Sequence, residues 1–349
     1  MQKSYKEIEK MISSKLDPIY LFYGEEEYLI STLINKIKRK FGELVLGINY
    51  ILIDDTNIEE LISDIEIPAF GYDKKLIIVK NSNIFKKDGR KKKNSALEDK
   101  IINYFNDNFD IIENNCVIVF CEIEVNSTEL FNVIEKKSIS FKSEYLDSRN
   151  LVAYLKNICT LYHVEVDDST LVYMVENCGT NLRVLINELR KVIEYTGEGK
   201  KITKDVIDSL CIKQIESVIF DLTDNIGAKK VSKALEILDN LISNKEPLQV
   251  ILVTLYTHIK RLYICKIAST TTNKDSLIVA LGIRPNHTFL IKKYQGQSKN
   301  FSEKQLRQLL EALADLDYNS KIGNIDADVG IRSILCNYCS WYIIHYQIQ

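Results

Sequence analysis

Short apolar runs alternate with helical stretches over the first third of the chain. Runs at Ile19–Tyr23, Tyr50–Ile53, Lys75–Lys80, Cys116–Cys121 and Ser138–Lys142 are rich in Ile, Val, Phe and Tyr. They have strand length and the near-continuous apolar character of strands buried on both faces. Between them, Glu27–Phe41, Ile58–Ile65, Ala96–Phe105 and Ser127–Lys136 carry helical periodicity. This alternation predicts a parallel sheet covered by helices, with the loops that follow the strands gathered at one edge, where ligands usually sit. After Tyr145 the strand signal stops. Ser148–Leu161, Asp168–Cys178, Asn181–Tyr195 and Thr203–Leu210 read as four helices, with candidate N-caps at Asp147-Ser148, Asp167-Asp168 and Thr203 and a turn at Thr196–Lys201. Longer helices follow at Glu216–Ile226, Lys229–Ser243, Pro247–Ala268, Ser276–Leu281, Thr288–Tyr294, Ser302–Ser320 and Ala327–Tyr346. The Pro247–Ala268 helix is apolar around much of its circumference, which makes it either the centre of its domain or a face pressed on a partner. The pattern therefore divides into 1–145 (α/β), 146–212 (small and helical) and 213–349 (helical).

A length of 349 residues also favours two or three domains over one core. The formal net charge of −2 excludes a global field that drives the protein onto nucleic acid or membrane, so any such binding needs a local patch. No apolar run reaches bilayer-spanning length, and the N-terminal MQKSYKEIEKMISSK lacks the apolar core of a secretory signal. Of the eight cysteines, Cys116, Cys121 and Cys159 lie inside apolar runs, as small buried hydrophobes of a reducing compartment do. A cytoplasmic protein is expected.

An α/β domain followed by a small helical one is the outline of many nucleotide-driven motors, so the loop after the first strand is the test. A working phosphate loop is GxxxxGK[ST]: glycines turn backbone N–H groups to phosphate, Lys supplies charge, and a hydroxyl holds Mg²⁺. Here Gly24 is followed by Glu25, Glu26 and Glu27. Carboxylates at that place repel phosphate by about 1 to 4 kcal/mol per pair of like charges at close range. They read as the start of a helix, whose dipole they satisfy. In an active motor the third strand ends on an Asp for Mg²⁺, whereas here it ends on Lys80 and Asn81. Both departures argue against nucleotide hydrolysis, and no Ser/His/Asp or paired-carboxylate signature replaces it. The four histidines (His163, His258, His287, His345) are dispersed, and Cys336 and Cys339 have no second pair, so neither metal nor cofactor is expected.

Several segments carry a family resemblance: PIYLFYGEEEYLI (Pro18–Ile30), IPAFGYDKKLIIVK (Ile67–Lys80), FDLTD (Phe220–Asp224), GTNLRVLINEL (Gly179–Leu189) and LDYNSKIG (Leu316–Gly323). An AL..L..L pattern before Pro247 belongs with them. The chain resembles the delta subunit of the bacterial DNA polymerase III clamp loader, from about residue 15 to about residue 340. The resemblance implies an AAA+-like parallel-sheet domain with a degenerate nucleotide site, a helical lid domain and a C-terminal helical collar. It implies a subunit without ATPase activity that binds the sliding clamp (the beta subunit), helps open it or hold it open for loading onto primed DNA, and assembles with the gamma/tau ATPase subunits and delta-prime. Such subunits grip the clamp through a hydrophobic pair, usually Leu-Phe, just before the third strand. Ala69 and Phe70 stand at those positions, flanked by Pro68 and Gly71, which favour a protruding turn. On residue type alone Phe70 belongs in a core; the resemblance makes it a wedge. It also offers Tyr318 as an aromatic for DNA contact, against a core alternative, and places Arg183 where active relatives sense phosphate. Two other functions stay open at this stage: a diverged AAA+ ATPase, and a free-standing DNA-binding module using Lys74–Lys93, which holds nine Lys/Arg and one acidic residue. A solvated loop is the plainer account of that run.

Overall fold

The computed structural model describes residues 3–86, 95–268, 273–284 and 289–340. The chain divides into two compact units, Met1–Tyr145 and Leu146–Gln349.

The first unit runs α1 (Tyr5–Ser14), β1 (Ile19–Gly24), α2 (Glu27–Phe41), β2 (Tyr50–Ile53), a 3-10 turn (Ile58–Glu60) leading into α3 (Leu61–Glu66), β3 (Lys75–Lys80), α4 (Ser95–Asp107), α5 (Phe109–Asn115), β4 (Cys116–Glu122), α6 (Glu129–Lys137) and β5 (Ile139–Ser143). The five strands form one parallel sheet in the order β2-β3-β4-β1-β5. Parallel strands need crossover helices, which cover both faces. Accordingly β1, β3 and β4 are buried almost end to end. The edge strand β2 departs from the expectation of two buried faces: Leu52 is exposed, because nothing pairs beyond it. The core on one side of the sheet joins Leu21, Ile77, Val79, Ile118 and Phe120 to Leu61, Ile65, Phe105 and Phe131 of the helices. Edge-to-face rings at Phe85–Phe120 and Tyr23–Phe131 lock it. The thiols of Cys116 and Cys121 are pushed up to about 12 by burial, as inert core residues are.

The second unit is all helix: α7 (Ser148–Leu161), α8 (Asp168–Cys178), α9 (Leu182–Thr196), α10 (Lys204–Leu210), α11 (Ile215–Gly227), α12 (Val231–Ser243), α13 (Leu248–Ile267), α14 (Lys274–Leu281), α15 (Phe289–Ser298), α16 (Glu303–Lys321) and α17 (Ala327–Ser340). The caps form as their chemistry dictates: Asp147 accepts from Asn150 N–H and Thr203 from Val206 N–H, while Asp167 holds the cap position without that bond. Leu151, Leu155, Leu171, Met174, Leu185 and Leu189 pack α7, α8 and α9 together. A separate core gathers α11 to α17 around α13, whose Ile251, Leu252, Leu255, Ile259 and Leu262 are buried. The helix is thus central to its domain, and its Val250, Val253 and Tyr256 are still left exposed. The α/β plus all-α class expected from the hydrophobic pattern is the one observed.

Candidate functional site

Phe70 lies on the link between α3 and β3. Helix α3 is only six residues long and buries Leu61, Ile62 and Ile65, so the chain leaves the core at Ile67. Residues 69–72 make a turn in which Tyr72 N–H donates to Ala69 O at 3.4 Å, and Gly71 takes φ +77°. Positive φ at the third turn position favours glycine over any residue with a Cβ. The turn lifts Phe70 out to 89% exposure, with Ala69 half-buried and Ile67 also exposed. A phenylalanine this exposed contributes little to its own fold, and covering it is worth roughly 1.5–3 kcal/mol. The core alternative for Phe70 does not hold. Ile67, which residue pattern alone does not single out, joins it as a second exposed apolar side chain.

The β1–α2 link, the place of a phosphate loop in related folds, is bonded to itself and to β5. Only Glu25 and Glu26 separate β1 from α2. Three consecutive backbone N–H groups, which a phosphate loop would present to an anion, are taken internally. Glu26 N–H donates to Ser143 O (3.4 Å), Glu27 N–H to Glu25 O (3.1 Å) and Tyr28 N–H to the Glu26 carboxylate (3.2 Å). The Ser143 hydroxyl donates back to Glu26 O at 2.9 Å. Glu26 is thus a buried N-cap, while Glu27 is exposed in the first turn and Glu25 is exposed just before the cap. Gly24 is required for packing. At φ +122° it pairs with Ser143 of β5, and a Cβ there would lie 2.1 Å from Ser143 O. Lys80 ends β3 exposed. Asn81 follows in the left-handed region (φ 53°), its N–H donating to Cys121 O at 2.9 Å. The acid at this edge is Glu122, at the end of β4. It is buried and accepts from Ser82 N–H (2.9 Å) and the Ser82 hydroxyl (2.5 Å), and burial raises its pKa. The sequence does not single out Glu122, because nothing local to it announces Ser82, forty residues earlier.

The remaining candidates are scattered. Tyr318 is 65% exposed in the last turns of α16, against its core alternative, with exposed Ile322 and Ile325 following it. Arg183 is exposed in the first turn of α9. In the basic run, the Lys74 ammonium donates to Glu113 O (2.5 Å), and buried Lys75 donates to Asp64 O (3.0 Å), so two of its cations are committed to backbone carbonyls. Residues 87–93 of that run, His287, His345 and the side chain of Cys339 lie outside the described residues. The second unit also holds a cleft of about 610 Å³, whose lining includes Asp221, Asp224, Arg261 and the ion pair Lys293–Glu176 (2.9 Å). Among the described residues, no helix is long and apolar enough to cross a membrane.

Two family models match the chain. That of the DNA polymerase III delta subunit covers residues 20–144, and that of the delta subunit's C-terminal domain covers residues 216–338. The chain is 28% identical over 316 residues to a probable DNA polymerase III subunit delta of Aquifex aeolicus (strain VF5), spanning 87% of this chain and 86% of that protein. It is 21% identical over 325 residues to the DNA polymerase III subunit delta of Bacillus subtilis (strain 168), spanning 92% of each. The solved structure of the Bacillus subtilis DNA clamp loader delta protein matches its fold with a TM-score of 0.70, covering 97% of this chain and 100% of that one at 21% identity.

Proposed function

The chain belongs to the delta-subunit family of DNA polymerase III, and from that premise we propose that it binds the sliding clamp through the Phe70 turn and helps open the ring, or hold it open, for loading onto primed DNA. The observation that carries this reading is a phenylalanine 89% exposed at the tip of a glycine-supported turn, with Ile67 and Ala69 beside it. Aromatic anchors that enter a partner's pocket commonly dominate interface energies. The two-residue β1–α2 link, with its three internally bonded N–H groups, supports a subunit without its own ATPase. Energy for the cycle then comes from the gamma/tau subunits. This chain contributes differential affinity for the open over the closed ring. Within the second unit we assign residues 146–212 as the lid and 213–349 as the collar that joins gamma/tau and delta-prime. Tyr318 is the collar residue we assign to DNA, as an exposed ring on which a base can stack. The protein works in the cytoplasm, at the replication fork.

Titration of the wild-type protein and Phe70→Ala against the sliding clamp tests the proposal. The substitution is expected to weaken binding by roughly 2–4 kcal/mol and to leave the melting temperature nearly unchanged. Unchanged clamp affinity in a folded Phe70→Ala protein overturns the assignment.

A further inference from the structure

Among the described residues, one group of side chains combines metal-ligand chemistry with metal-ligand spacing, and clamp loading makes no use of it. The Cys178 and Cys211 thiols and the Glu188 carboxylate offer three ligand atoms that all lie within 4.8 Å of one another. They come from three helices: Cys178 is the last residue of α8, Glu188 lies midway along α9, and Cys211 caps α10. Bonds of about 2.3 Å to sulfur and 2.0–2.2 Å to oxygen set ligand atoms somewhat under 4 Å apart around a tetrahedral ion, so this triangle closes on an ion with shifts of about 1 Å or less.

The surroundings suit such a site. Cys178 and Glu188 are buried and Cys211 is at least half-buried. Ile212 N–H donates to Glu188 Oε2 at 3.0 Å, and the Lys191 ammonium lies 2.7 Å from the same oxygen, so the carboxylate is held from behind. Two thiolates and a carboxylate balance a divalent ion plus the Lys191 ammonium, and the filled site carries no net buried charge. The segment after Cys211 is pressed onto the end of α8. Gln214 N–H donates to Asn177 O at 2.8 Å, and a Cβ on Gly179 would meet the Gln214 side chain at 2.1 Å. We propose that Cys178, Cys211 and Glu188 bind a soft divalent cation of the zinc class, which ties α8, α9 and α10 together where the chain enters α11.

The test uses the full-length protein, stripped with chelator, reduced, and titrated with Co²⁺. The expected result is one ion per chain with the visible bands of tetrahedral cobalt, a near-ultraviolet thiolate band, release of both thiol protons, displacement by Zn²⁺ and a raised melting temperature. Cys178→Ser and Cys211→Ser are each expected to halve the thiolate band. Glu188→Gln is expected to keep it while weakening binding by roughly tenfold or more. A wild-type protein that gives no thiolate band overturns the site, as does a band that survives undiminished in Cys178→Ser. A Cys178–Cys211 disulfide formed under mild oxidant, in protein that shows no cobalt band, also overturns it and makes the pair a redox one.

Discussion

Ala69 is half-buried beside a fully projecting phenylalanine, and the two positions respond differently to substitution. Ala69→Leu restores the bulk usual in the family. With Ala69 facing the clamp pocket, titration should show binding tightened by up to about 1–2 kcal/mol from the added buried methylenes; no gain would show that Ala69 faces elsewhere or that the pocket has adapted to it. Gly24 is intolerant for a reason unrelated to phosphate. Gly24→Ala should lower the urea midpoint by the equivalent of about 1–3 kcal/mol from its backbone angle alone, and more from the clash with Ser143. His258 supplies a pH dependence. It is buried, its Nε2–H donates to Gln297 Oε1 (2.6 Å), and burial pushes its pKa down to about 4 from 6.5. A depressed histidine pKa means that the unfolded chain takes up the proton first, so the stability is present above about pH 6.5 and is lost as pH falls toward 4. The loss amounts to about 3 kcal/mol at most. His258→Gln should flatten the melting temperature of the second unit between those pH values. Phe70 and Tyr318 are legible as candidates only through the family pattern, since residue type alone puts aromatic side chains inside.

At the scale of elements, the β1–α2 link and α13 carry the testable content. With the N–H groups of residues 26 to 28 already bonded, a thermal-shift series with Mg·ATP should show no saturable stabilisation, and a shift saturating in the micromolar range would contradict this reading. Helix α13 buries one side in its domain and leaves Val250, Val253 and Tyr256 exposed at every third residue. On the proposed collar assignment, this stripe is the face we assign to contact with the other loader subunits. Val253→Lys should weaken capture of the other loader subunits while moving stability by no more than about 0.5 kcal/mol. The central strands and most helices are legible in the sequence because their periodicity is strong. Helix α1 is not, although Ser4 and Glu7 form a capping box and Ile8 and Ile12 are buried one turn apart. Apart from Tyr5 and Met11 its other residues are polar, and composition outweighs the pairing. Helix α5, at seven residues, sets only Phe109 and Ile112 against the core and is too short to show a clear period.

At the scale of the molecule, the chain passes from one compact unit to the other at Tyr145, where the strand signal ends. A fragment of residues 1–145 should fold cooperatively and retain clamp binding, because it contains the whole sheet and the Phe70 turn. Circular dichroism with clamp titration checks this, and clamp binding that instead follows residues 213–349 would reverse the assigned roles. The local pattern of side chains determined by itself the strands and most of the helices, and it put carboxylates where a triphosphate would need cradling. Those properties depend on neighbours a few residues apart. What tertiary structure decided involves partners far apart in sequence: Ser143 closing the β1–α2 link, Ser82 holding Glu122, and Cys211 brought to Cys178 and Glu188. It also decided exposure, which separates Phe70 and Tyr318 from the core aromatics. No local rule gives that, because accessibility is fixed only when every other element has taken its place.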